Sequence, residues 1–111
     1  MINWRNLPPL SALRAFSAFA EAESLEQAGA RIGVTHAAVS QQIRALEAHL
    51  GLSLVDRRGK RLMLTPAGQQ LAAALTDGFG QIARTIVELT DRDAAQPLRI
   101  TTTDAFAGGW L

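Results

Sequence analysis

Cysteine and tyrosine are both absent from the 111 residues, and histidine occurs only twice. Without cysteine there is no disulfide scaffold, no thiolate nucleophile and no cysteine-ligated zinc site. Two histidines, His36 and His49, leave little material for acid/base chemistry, and no carboxylate lies next to His36 in sequence to make a metal or catalytic pair with it. No uncharged apolar run is long enough to span a membrane. The opening Met-Ile-Asn-Trp-Arg lacks the apolar core of a signal peptide, so the cytoplasm is the expected compartment. What the chain does have is 48% hydrophobic and 19% charged residues. That balance suits one small packed domain with an extension, not disorder and not two full domains.

Charge is unevenly placed. Residues 1–64 carry eight Lys/Arg against five Asp/Glu, a net +3, whereas residues 65–111 carry a net −2. The first part is therefore the candidate for a polyanionic partner. Its densest stretch is Arg57-Arg58-Gly59-Lys60-Arg61, which in isolation reads equally well as a solvated turn.

Apolar spacing lays out the elements. Leu10, Leu13, Phe16 and Phe19 recur every three residues and predict a first helix, with Ala15, Ala18 and Ala20 as small fillers. Ser24 with Gln27 forms a capping box that starts a short second helix, whose apolar face is Leu25, Ala28 and Ile32 and whose stop is Gly33. Thr35 caps a third helix carrying Val39, Ile43, Leu46 and Leu50, and Gly51 ends it. Leu52–Val55 and Arg61–Leu64 read as two strands flanking the basic turn. Thr65-Pro66 then opens a long helix to about Asp91, since proline suits the first helical position. At about 1.5 Å per residue it spans on the order of 40 Å. Residues 92–97 read as a hinge and Leu98–Thr102 as a further strand.

Residues 25–44 carry the functional signal. Gly29 is small and faces inward, which lets the third helix cross close by. Gly33 supplies positive φ in the turn, Val34 plugs the corner, and Val39 and Ile43 pin the third helix to the second. Together these describe a helix-turn-helix, the competing reading being a helical hairpin without function. With Val39, Ile43 and Leu46 buried, Thr35, His36, Ala37, Ser40, Gln41 and Arg44 line the outward face, a set with donors, acceptors and a small residue but no carboxylate. Such a face suits the major groove of double-stranded DNA. Arg57, Arg58, Lys60 and Arg61 would then form a wing along the backbone or in the minor groove.

The long helix carries Leu75, Phe79, Ile82, Ile86 and Leu89 at spacings of four and three, with Leu71 one turn earlier. That is a heptad seam, and it predicts pairing with the same helix of a second copy in preference to packing on its own domain. Gly78 and Gly80 weaken the helix midway.

By this point the chain resembles the LysR-type family of bacterial transcriptional regulators. The resemblance rests on Leu10-Ser11-Ala12-Leu13-Arg14-Ala15-Phe16, on Val39 to Glu47 (Val-Ser-Gln-Gln-Ile-Arg-Ala-Leu-Glu), on Leu50-Gly51-Leu52-Ser53-Leu54, and on Leu62-Met63-Leu64-Thr65-Pro66-Ala67-Gly68. The lead Leu7-Pro8-Pro9-Leu10 and the run Leu98 to Thr103 are similar to the branch that includes the glycine-cleavage activator. The resemblance implies a mainly α fold. A winged helix-turn-helix DNA-binding domain occupies residues 8–65, with its motif at 25–44 and wing at 53–64; a dimerising linker helix follows at 66–91, then the hinge, and residues 98–111 are the remnant of an effector domain's first strand. It implies truncation before that effector domain, so that a small-molecule effector belongs only to a full-length parent. The family often has Ser-Gln-Pro or Thr-Pro-Ala where this chain has Thr35-His36-Ala37, Arg or His where it has Gln41, and Ala-Ala where it has Ala28-Gly29. Glycine at 29 is expected to lower helix stability by up to about 1 kcal/mol relative to alanine.

The expected function is sequence-specific DNA binding by a homodimer that reads an interrupted T/A-rich palindrome through residues 35–48 and the wing. The alternative is a coiled-coil module that pairs with full-length relatives and reads little DNA itself. No nucleophile, base and oxyanion group converge, so no enzyme is expected, and no cofactor, metal or membrane partner.

Overall fold

A computed structural model describes residues 2–22 and 24–94, with side chains through Asp91. Residues 95–97 of the expected hinge and the expected strand at Leu98–Thr102 lie outside those residues. The chain forms two compact units, one ending at Thr76 and the other beginning at Asp77.

A 3-10 turn over Trp4–Asn6 precedes helix α1, Leu10–Glu21, whose first free N–H groups, on Ala12 and Leu13, donate to the carbonyl of Pro9 at 3.1 and 3.2 Å. Helix α2 is Leu25–Ile32 and α3 is His36–Leu50. Both start as the sequence predicts. The Ser24 hydroxyl accepts from Gln27 N–H at 3.1 Å and the Thr35 hydroxyl from Ala38 N–H at 3.1 Å. Both end on a left-handed glycine, Gly33 at φ 76° and Gly51 at φ 70°.

The core sits where these three helices meet. Ala12, Leu13, Ala15, Phe16 and Phe19 of α1, Ala28 of α2 and Val39, Ile43 and Leu46 of α3 are all buried, joined by Leu54 and Val55 after α3. Leu10, predicted to belong to the apolar stripe, is exposed instead. It is the first helical residue, two positions ahead of Ala12, where the buried part of α1 begins.

Val34 corrects a second expectation. Its side chain is exposed, so it does not plug the corner between α2 and α3. Backbone fills that corner: Val34 N–H donates to the Gly29 carbonyl at 2.9 Å, and a Cβ on Gly29 would run into the Val34 carbonyl. Glycine at 29 is therefore fitted to the turn, and the expected gain from alanine does not follow once that collision is counted.

The two strands are shorter than predicted. β1 is Val55–Asp56 and β2 is Met63–Leu64, antiparallel, with Val55 opposite Leu64 and Asp56 opposite Met63. Before β1, the N–H groups of Leu52 and Leu54 turn back to α3. Leu52 N–H donates to the Glu47 carbonyl at 3.3 Å and Leu54 N–H to the Glu47 carboxylate at 2.8 Å.

Helix α4 runs Pro66–Ala94, three residues past the expected end, and stays helical through Gly78 and Gly80. Thr65 ties its start to the strands: the hydroxyl donates to the Ser53 carbonyl at 2.7 Å and accepts from Gly68 N–H at 3.0 Å. Gly68 is buried, and a Cβ there would meet the Leu54 carbonyl, so α4 starts hard against the base of the hairpin.

Candidate nucleic-acid interface

Helix α3 presents two unlike faces. Val39, Ile43 and Leu46 face the core, while Thr35, His36, Ala37, Gln41 and Arg44 are exposed and Ser40 is half-buried. The predicted outward set thus shares one solvent-facing side of one helix. The Thr35 cap and the buried stripe fix how that side is turned.

The hairpin brings its cations beside the start of α3. Lys60, Arg61 and Leu62 line a cleft with His36 and with Ser24, Leu25 and Glu26 at the start of α2. The four basic residues between the strands are not equivalent. Arg57 forks onto Glu47, with Nη2 3.0 Å from Oε1 and Nη1 donating to Oε2 at 3.4 Å. Arg58 forks onto Asp56, Nε to Oδ1 at 3.0 Å and Nη2 to Oδ2 at 2.9 Å, and its own N–H adds a third bond to Oδ1 at 3.0 Å. Lys60 and Arg61 are exposed and make no ion pair among the described residues, and the same holds for Arg44 on α3.

Glu47 is the residue that sequence reasoning missed. Its Oε2 accepts from Leu54 N–H at 2.8 Å and Val55 N–H at 3.2 Å as well as from Arg57, and its side chain is only 13% exposed. A signal existed: Glu47 follows Ile43 by four positions, so it falls on the inward side of α3 where an apolar residue is expected. Burial pushes its pKa up, but the Arg57 hydrogen bond and the two backbone N–H groups outweigh that and hold it below the ordinary carboxylate value. Asp56 is pulled down from its ordinary value to about 2 by the hydrogen bonds from the Arg58 side chain and backbone.

The predicted seam residues lie on α4. Leu71, Leu75, Phe79 and Ile86 are half-buried, while Ile82 is 56% and Leu89 52% exposed. Val87, which the heptad spacing does not include, is also 55% exposed. Among the described residues no group of His, Asp and Glu could hold a metal ion, and no helix is long and apolar enough to cross a membrane.

Three helices with a glycine-cornered turn before the third, then a two-stranded hairpin with a basic tip, define a winged helix-turn-helix. The chain belongs to the lysR family of bacterial regulatory helix-turn-helix proteins, whose profile matches residues 10–69. It is a LysR-type DNA-binding domain, from a family of transcription regulators and not of enzymes. It is 46% identical over 110 residues to the AhcY transcriptional activator HvrB of Rhodobacter capsulatus, covering 99% of this chain and 38% of that protein. It is 40% identical over 107 residues to the glycine cleavage system transcriptional activator of Escherichia coli K12, covering 96% of this chain and 35% of that protein. The chain thus spans well under half the length of these relatives. The BenM DNA-binding domain in complex with catB site 1 DNA matches it with a TM-score of 0.67 and 27% identity, covering 80% of this chain and 98% of that one. Vibrio fischeri DarR in complex with DNA matches at 0.63 and 30% identity, covering 80% of this chain and 30% of that one.

Proposed function

We propose that this chain reads double-stranded DNA sequence-specifically as a homodimer, on an interrupted T/A-rich palindrome, and that it does so in the cytoplasm as the DNA-reading part of a transcription regulator. The observation that carries this is the exposed polar face of α3 beside two unpaired wing cations, Lys60 and Arg61. In this reading α3 enters the major groove. Gln41 and His36 face base edges, Ala37 is small enough for close approach, Thr35 and Ser40 hold phosphate, and Arg44 contacts backbone or a guanine. The wing cations Arg57, Arg58, Lys60 and Arg61 meet the backbone or the minor groove, with most of the attraction coming from Lys60 and Arg61 because their charge is not already neutralised within the wing. That two solved relatives are complexes with DNA supports the DNA-binding part of this reading.

The seam on α4, Leu71, Leu75, Phe79, Ile82, Ile86 and Leu89, supplies the dimer contact. Two-fold symmetry then presents two recognition helices to inverted half-sites. Anisotropy titration with a preferred duplex and a scrambled one tests the readout. Gln41→Ala is expected to weaken binding by about 1–3 kcal/mol on the preferred duplex and by much less on the scrambled one. Equal losses would move Gln41 to a positioning role. Failure of the unmodified chain to bind either duplex would favour the coiled-coil module.

A further inference from the structure

We propose that Glu47 is a positioning residue for DNA binding: one carboxylate on the recognition helix sets where the wing stands, without touching DNA itself. The inference rests on the DNA-binding reading above. Its basis is the convergence of α3 and the wing on a single side chain. Oε2 of Glu47 takes the N–H groups of Leu54 and Val55 at 2.8 and 3.2 Å, which fixes the chain where it enters β1. The same carboxylate takes the Arg57 guanidinium at 3.0 Å, which fixes the chain where it leaves β1. Between those two points β1 is only two residues long and has one partner strand, also of two residues. So short a ladder gives the hairpin little stiffness of its own. The Glu47 side chain, 13% exposed, supplies a rigid link from α3 to both ends of β1.

The link has a consequence for binding. Gln41 and Arg44 stand on the same helix as Glu47. Holding β1 to that helix keeps Lys60 and Arg61 in fixed register with the groove-reading side chains, so both sets meet one duplex without first being ordered. Binding that needs no ordering step is tighter for the same contacts. Arg57 is consumed in the link, so its charge serves the wing's placement more than the phosphates.

The sign of one measurement separates this role from simple electrostatics. Glu47→Gln removes a negative charge next to a polyanion and releases Arg57. By Coulomb attraction alone it strengthens DNA binding and steepens its salt dependence. As a positioning residue, Glu47 predicts the opposite. With the fold retained by circular dichroism, E47Q weakens binding about tenfold or more on preferred and scrambled duplexes alike, and the salt slope falls by up to about two units as Lys60 and Arg61 lose their register. In a chain already carrying K60A and R61A, adding E47Q changes affinity little, because there is no wing contact left to misplace. Should E47Q not fold at the assay temperature, E47D takes its place. It keeps the charge but is one methylene too short to hold both N–H groups, and the same drop in slope is expected. Unchanged or tighter binding by the substituted chain, or a loss as large in the K60A/R61A background, overturns the proposal. Absence of binding by the unmodified chain would instead overturn the DNA-binding reading on which it stands.

Discussion

At Glu47, two backbone N–H donors and one guanidinium outweigh a burial penalty, and the outcome is a carboxylate that prefers its charge in the folded chain. A group whose pKa is depressed by folding adds stability above its unfolded value, here 4.5, and that stability is lost as pH falls through the lower folded value. Thermal melts should therefore be flat with respect to this group from neutral pH to about pH 5 and should fall below it. Glu47→Gln is expected to lower stability at pH 7 by about 1.5–3 kcal/mol, the worth of hydrogen bonds to a charged group. It should also flatten the acid decline, so that the two melting curves converge at low pH. Parallel curves at all pH values would mean that the carboxylate charge contributes nothing. Asp56, held at about 2, adds a decline of the same sign as pH falls toward that value. Gly29 shows a different residue-scale lesson. Its inward position was legible from the helix-turn-helix spacing, but what fills the space was not. Sequence reasoning assigned the corner to the Val34 side chain, and the backbone carbonyl of Val34 occupies it.

Among the elements, the bounds of helices were readable and the bounds of strands were not, for a physical reason. The starts of α2, α3 and α4 and the ends of α2 and α3 are each written locally, by Ser24, Thr35, Thr65-Pro66, Gly33 and Gly51, and they lie at the positions those residues predict. The strands depend on which partner takes each N–H. Leu54 N–H goes to the carboxylate of Glu47, seven residues back, and no local pattern announces that bond. The same cause hid the inequality of the wing cations: four basic residues in five look alike until Glu47 and Asp56 claim two of them. A prediction follows for the wing as an element. Lys60→Ala and Arg61→Ala should each lower the salt slope of DNA binding by about one unit and weaken all sequences similarly. Arg58→Ala should change the slope by clearly less, since its charge is already countered by Asp56. Three equal decrements would show that DNA displaces the Asp56 carboxylate from Arg58 on binding.

At the scale of the whole molecule, the recognition surface lies in the unit ending at Thr76 and most of the apolar seam in the unit starting at Asp77. Ile82 and Leu89, seven residues apart on the seam, are each more than half exposed in the single chain. A contiguous apolar strip of that kind is seldom left uncovered, and a second copy covers it by symmetry. Ile82→Asp places an unpaired carboxylate in the seam of both copies, where burial is costly. Sedimentation should then show monomer, with DNA affinity collapsing while circular dichroism reports an intact winged domain. A substituted chain that sediments as the unmodified one does, or an unmodified chain that is monomeric at tens of micromolar, would remove α4 from the account of dimerisation.

Whether α3 reads DNA sequence in a two-fold arrangement is decided by selection of bound duplexes from a randomised pool, run in parallel for the unmodified chain and Gln41→Ala and followed by sequencing. The unmodified chain is expected to enrich an inverted pair of half-sites with a T/A-rich, interrupted layout, and Gln41→Ala to lose or change the preference at matching positions in both halves. Recovery of an unenriched pool by the unmodified chain, or of the same palindrome with undiminished preference by Gln41→Ala, would contradict that reading.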